Sequence, residues 1–246
     1  MTETTEATES AAARGRRRRR GVLLFIRDLL IIFVVAVLVS FLIKTFLIRS
    51  FFIPSQSMEM TLQKDDRIIV NELVPDLSPI HRGDVVVFKD PGGWLDAPPP
   101  VEQPPLVAAV DWFLAFVGLS APDSNDHLIK RVIGLPGDTV ACCNPLGQTT
   151  VNDVPIDESP YVNVPAGERA SSIDFEVTVP DGTLWVMGDN RNNSKDSRYN
   201  RDTPSKGFVP IDNVVGHAFV ISCPIERWSW LDSYPQVFSG VEDGNR

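Results

Sequence analysis

Residues 127–138 read His127-Leu128-Ile129-Lys130-Arg131-Val132-Ile133-Gly134-Leu135-Pro136-Gly137-Asp138. Apolar and β-branched side chains dominate Leu128 to Ile133, and Gly134, Pro136 and Gly137 then end the run. This is the pattern of a short strand closed by a turn. Strand alternation puts Leu128, Lys130 and Val132 on one face and Ile129, Arg131 and Ile133 on the other. A lysine on an apolar face loses solvation, which favours its neutral amine. The plainer reading is an edge-strand lysine whose ammonium snorkels to water.

Runs of the same kind recur on both sides: Arg67 to Val70, Asp84 to Phe88, Thr149 to Val151, Phe175 to Val179, Thr183 to Met187 and Val214 to Ile221. Gly, Pro, Asn or Asp borders most of them. Short β-branched runs between turn residues predict a mainly β fold, an antiparallel β-domain. Pro180-Asp181-Gly182, between two alternating runs, predicts a hairpin turn. Residues 139–186 read as a smaller β-hairpin extension.

Two stretches break the pattern. Pro91 to Pro105 holds six prolines in 15 residues, so it is neither a central strand nor a helix but an extended surface linker. Leu106 to Leu119 is strongly apolar, yet its 14 residues are too short to span a bilayer. It reads either as a helix packed on the β-domain or as one lying in the outer leaflet with Trp112 at the headgroups.

Further upstream, residues 22–53 are almost wholly apolar, broken by Arg27, Asp28, Lys44 and Arg49. A helix over residues 28–48 reaches ~30 Å, enough to cross the hydrocarbon core if Lys44 snorkels. Arg14 and Arg16 to Arg20 precede it, which orients the N-terminus to the cytoplasm by the positive-inside rule. The apolar region is too long for a cleaved secretory signal, and no A-x-A site follows it. The division expected is a disordered basic cytoplasmic tail (1–27), one transmembrane helix (28–48), a first part of the β-domain (49–90), an insert (91–127), a second part (128–138 and 187–246) and the extension (139–186). The β-domain lies on the extracytoplasmic face.

The 246 residues carry a formal net charge of −9, which argues against nucleic acid as the main partner. The basic head hides a body with 17 Lys and Arg against 29 Asp and Glu. Three cysteines (Cys142, Cys143, Cys223) are too few for a disulfide scaffold, and a Cys143–Cys223 bond, a Cys142–Cys143 bond and free thiols all stay open. The three histidines (His81, His127, His217) show no metal-ligand spacing, and no G-x-S-x-G elbow supports a Ser-His-Asp triad. No metal and no cofactor is called for.

Two more segments bear on chemistry. Ile53-Pro54-Ser55-Gln56-Ser57-Met58-Glu59-Met60-Thr61-Leu62 sets two serines just after a proline, where serine is ordinarily only a turn residue. Gly188-Asp189-Asn190-Arg191-Asn192-Asn193-Ser194-Lys195-Asp196-Ser197-Arg198 is a loop dense in hydrogen-bonding side chains.

Together with Lys130's segment and Arg82 to Phe88, these motifs resemble, in order, those of the bacterial type I signal peptidases, membrane-bound Ser/Lys proteases. The resemblance runs from Phe52 to about His217 and includes the membrane anchor before it. It implies Ser57 as nucleophile and Lys130 as general base. The Ser57 N–H and the Ser55 hydroxyl would form the oxyanion hole. Ser194 would orient the Lys130 amine, and Asp196 and Arg198 would form a structural ion pair. Gly188, Asp189 and Asn190 would shape the site without reacting. Substrate pockets would be lined by Phe52, Ile53, Pro54, Met58, Leu62 and Ile129. The implied substrates are secretory preproteins held at the lipid bilayer, cut after small residues (A-x-A) while lying as an added strand beside Lys130. Met60 stands where the family has Pro, which removes a rigid turn after the nucleophile, and Gln56 replaces a frequent Gly. Two other readings are a self-cleaving repressor-type Ser/Lys protease, which would need a DNA-binding head, and an inactive membrane-anchored binding factor, which the presence of both Ser57 and Lys130 disfavours.

Overall fold

The computed structural model describes residues 25–40, 48–95, 126–162, 164, 165 and 167–242. The chain divides into two compact units, Met1–Phe46 and Leu47–Arg246. In the first, residues 25–40 are helical and exposed throughout. Among the described residues no helix is long and apolar enough to cross a membrane. The expected span of 28–48 includes residues 41–47, which lie outside the described ones. Its end is corrected: Ile48 opens a strand instead, because Ile48 to Phe52 pair in register with Asn71 to Arg67. Residues 1–24 of the tail (1–27) and 96–125 of the insert (91–127), with the apolar 106–119 stretch, also lie outside the described residues.

Among the described residues the second unit holds twelve strands, with only 3-10 turns for helix. They are β1 (Ile48–Phe52), β2 (Arg67–Asn71), β3 (Val85–Lys89), β4 (His127–Gly134), β5 (Thr139–Cys142), β6 (Thr149–Val151), β7 (Val154–Pro155), β8 (Phe175–Thr178), β9 (Thr183–Met187), β10 (Val209–Pro210), β11 (Val214–Cys223) and β12 (Ser229–Trp230). The larger sheet runs β1-β2-β11-β3-β4-β9-β10, with β12 added to β11. The smaller runs β7-β6-β5-β8. Every pairing is antiparallel. The chain is therefore mainly antiparallel β.

Alternation on β4 sorts its side chains between cores. Val132 is buried with Val86, Phe88 and Leu184, and Leu128 packs against them. Ile129 joins Phe51, Ile53, Met58 and Leu62. Ile133 joins a third cluster with Val140, Phe175 and Trp185, which ties the smaller sheet to the larger. At Gly134 a Cβ would lie 2.5 Å from Val140 Cγ2, so only glycine lets β4 turn into β5 this closely.

The Pro180-Asp181-Gly182 turn is not a hairpin. Its flanking strands lie in different sheets: β8 pairs with β5, and β9 pairs with β4 and β10. The turn carries the chain from one sheet to the other, which alternation on either side cannot reveal.

Candidate active site

Ser57 sits in a turn between β1 and β2. Glu59 N–H donates to Gln56 O at 3.0 Å, and the N–H groups of Thr61 and Leu62 donate to Met58 O at 3.1 and 2.8 Å. Met58 and Leu62 are fully buried and anchor the turn in the core. They do not line the cleft, although they were expected to. Met60 has φ 102°, a conformation closed to proline, whose ring fixes φ near −65°. A proline could therefore not take the place of Met60 in this turn, which its own hydrogen bonds close.

β4 brings Lys130 to this turn. Its Nζ lies 2.7 Å from Ser57 Oγ and 2.8 Å from Ile129 O. Lys130 is 4% exposed and Ser57 8%. Burial lowers the Lys130 pKa from 10.5 to about 8, although Asp196 and Asp189 pull the other way. Ser55 Oγ lies 3.3 Å from Ser57 Oγ, so both hydroxyls face one point.

The 188–198 loop closes the site from behind. Asn190 N–H donates to Ser57 O at 3.1 Å, and Asn190 Nδ2 to Gln56 O at 3.1 Å. A Cβ at Gly188 would fall 2.4 Å from Ser57 O and 2.2 Å from Ser194 Oγ, so the close approach requires glycine. Asp196 holds Arg198 through two hydrogen bonds of 2.9 and 2.8 Å and also accepts from Gly188 N–H at 2.9 Å. Burial opposes the Asp196 charge, but these donors keep its carboxyl below the usual range. Ser194 Oγ is buried beside the Asp196 carboxyl, which it helps to hold low, and shares no hydrogen bond with Lys130. The amine that it was expected to orient is held by Ser57 and Ile129 O.

A cavity of about 240 Å³ opens beside Lys130 and Ser55. Phe52, Ile53, Pro54 and Ile129 line it, together with Phe51, Val87, Leu95, His127 and Leu128. Strand β3 flanks β4 along His127–Arg131, whereas β9 pairs it only from Arg131 onward. Among the described residues, the β9-side edge of residues 127–130 thus carries no strand.

Arg131 is a further residue that the expectations passed over. It is fully buried, grips Asp189 through hydrogen bonds of 2.9 and 2.8 Å, and donates to Gly83 O and Asp232 O at 2.6 and 3.0 Å. Thr61 Oγ1 donates to the same Asp189 at 2.5 Å. The signal for Arg131 was present, a cation in an apolar strand beside Lys130. Elsewhere, Cys142 and Cys143 form a disulfide, while Cys223 is free and exposed. Among the described residues no cluster of three or more His, Cys, Asp or Glu could hold a metal.

A buried amine in hydrogen-bond contact with a serine hydroxyl has the geometry for proton transfer between the two groups. Comparison with known proteins gives the class. The family described as "Signal peptidase, peptidase S26" matches residues 26–223. The chain is 37% identical over 254 residues to "Probable signal peptidase I" of Mycobacterium leprae, covering 92% of this chain and 85% of that protein. It is 37% identical over 246 residues to "Signal peptidase I" of Mycobacterium tuberculosis (92% and 82% covered). To "Probable signal peptidase I-1" of Synechocystis it is 34% identical over 217 residues (87% and 90% covered). The chain belongs to the signal peptidase family, peptidase S26, and is a peptidase.

Proposed function

We propose that the chain is a type I signal peptidase that cuts secretory preproteins after small residues by a Ser57/Lys130 dyad. Neutral Lys130 takes the Ser57 proton as the hydroxyl attacks the scissile carbonyl. The oxyanion forms between the Ser57 N–H and the Ser55 hydroxyl. The protonated amine then returns its proton to the leaving nitrogen, and water, activated by the same amine, releases the acyl group from Ser57. The observation that carries this reading is the 2.7 Å contact between Lys130 Nζ and Ser57 Oγ, with the amine's pKa brought down to about 8 by burial.

Extended substrate would add to the unpaired edge of β4 at residues 127–130 and place alternate side chains in the apolar cavity. A cavity walled by Phe52, Ile53 and Ile129 suits apolar substrate side chains. In this reading the larger sheet is the catalytic part and residues 139–186 are its extension. The apolar stretch before Ile48 is a single-pass anchor that holds the enzyme at the depth of its membrane-bound substrates, with the N-terminus cytoplasmic and the β-domain outside.

The test is cleavage of a preprotein bearing an A-x-A site by the detergent-solubilised chain, with the new N-terminus read by mass spectrometry. Cleavage after the second Ala, lost in Ser57→Ala and Lys130→Ala, is expected. Ser55→Ala should retain a residual rate, lower by about 10²–10³-fold, the usual cost of one oxyanion-hole donor. Near-normal activity of Lys130→Ala would refute the dyad.

A further inference from the structure

Residues 156–162 follow β7 and lie outside every motif described above. Yet Glu158 is 7% exposed, and its carboxylate takes four hydrogen bonds. Arg191 Nη1 and Nη2 donate to it at 2.6 and 2.5 Å, Thr149 Oγ1 at 2.8 Å and Tyr161 OH at 3.0 Å. Burial opposes its charge, but Arg191 outweighs burial and holds the carboxyl below the usual range. Arg191 is 3% exposed, and its Nε donates to Gly188 O at 3.1 Å. Gly188 is where the loop passes closest behind Ser57.

A second branch leaves the same carboxylate. The Tyr161 ring lies against the Arg131 guanidinium, 4.3 Å from the ring centroid. Arg131 follows Lys130 directly and grips Asp189, the neighbour of Gly188. Glu158 therefore reaches both halves of the reactive pair: through Arg191 the backbone behind Ser57, and through Tyr161 the residue after Lys130.

We infer that Glu158, with Tyr161 and Arg191, is a positioning residue that presses the Gly188–Arg191 backbone against Ser57 and so sets the contact between Ser57 and Lys130. The inference rests on the dyad reading above. It gives the segment after β7, beside the smaller sheet, a part in the reaction. A buried ion pair contributes little net stability compared with apolar residues of like volume. Apolar side chains can fill this space, but they cannot hold Gly188 O.

The experiment compares Glu158→Met/Arg191→Met, Tyr161→Phe, Ser57→Ala and the wild-type chain in steady-state cleavage of one preprotein, with melting followed in parallel. The double variant should melt within about 4 °C of wild type. Its kcat should fall by about 10- to 100-fold with KM unchanged, the scale on which misplacement of reacting groups acts. Tyr161→Phe keeps the ring on Arg131 and removes only the hydroxyl. It should melt a few degrees lower, the cost of one hydrogen bond to a buried carboxylate, and keep KM, with kcat lower by about tenfold. Wild-type kcat in a folded double variant would overturn the inference. If the double variant fails to fold, Tyr161→Phe decides, and wild-type kcat there overturns it equally. Activity retained in Ser57→Ala would instead sink the dyad reading itself, a distinct outcome.

Discussion

Lys130 shows how burial can turn an ordinarily protonated side chain into a proton acceptor. A free lysine at neutral pH is protonated and cannot accept a proton. Burial brings the amine to about 8, where a useful fraction is neutral. The conversion costs stability, and its sign is fixed. The folded chain binds fewer protons at Lys130 than the unfolded chain between pH 8 and 10.5, so this group makes stability rise with pH across that window. The penalty, about 3 kcal/mol, is fully felt below pH 8 and gone above 10.5. Lys130→Met should accordingly be inactive yet more resistant to urea than wild type at pH 7, less the two hydrogen bonds lost. That advantage should shrink steadily between pH 8 and 10.5. A difference in unfolding free energy that does not vary with pH would contradict the burial argument. Lys130 was half legible in sequence: alternation put its amine on an apolar face, but the plainer reading was an edge lysine, and its expected role as base came from the motif resemblance. Glu158 was not, since an acidic residue in a polar stretch reads as surface until its partner 33 positions away is known.

The turn carrying Ser57 and the 188–198 loop are irregular elements held in contact by glycine and by backbone hydrogen bonds. Their motifs were readable, but their geometry was not. Met60 read as the loss of a rigid residue, whereas its φ of 102° describes another turn. Met60→Pro, which restores the family's residue, should therefore lower both the melting temperature and cleavage. Met60→Gly, free at that φ, should keep both. Higher activity in Met60→Pro would show that the family's turn is accessible here. The strands themselves were largely legible: β6 and β9 match their expected bounds, and β2, β3, β4, β8 and β11 differ by a residue or two. Strand β1 (Ile48–Phe52) was hidden inside an apolar run that reads equally well as helix, and β7, β10 and β12 are two residues each, too short for any periodicity. Pairing was less legible than strand identity, as the turn at Pro180 to Gly182 illustrates. Which sheet a strand joins is set by contacts distant in sequence.

Among the described residues, buried charges gather around Ser57 and Lys130 and along the joint between the two sheets. Asp138, Glu158 and Asp196 are all buried, and in each burial is outweighed by an arginine: Arg82, Arg191 and Arg198. Carboxyls held low in the folded state stabilise it above the unfolded values near pH 4, and this is lost as pH falls through the folded values. Urea midpoints should be level from about pH 6 to 5 and drop steeply below about pH 4. A midpoint unchanged down to pH 3 would mean that these pairs contribute nothing. The same architecture brings Ser57 and Lys130, 73 residues apart, to 2.7 Å. The pH dependence of kcat/KM on a preprotein tests that assembly most directly. A Lys130 base predicts a rate that rises about tenfold per pH unit below about 8 and levels off above it, as the amine loses its proton. A rise that is complete by about pH 7, as a histidine base would give, would contradict the account.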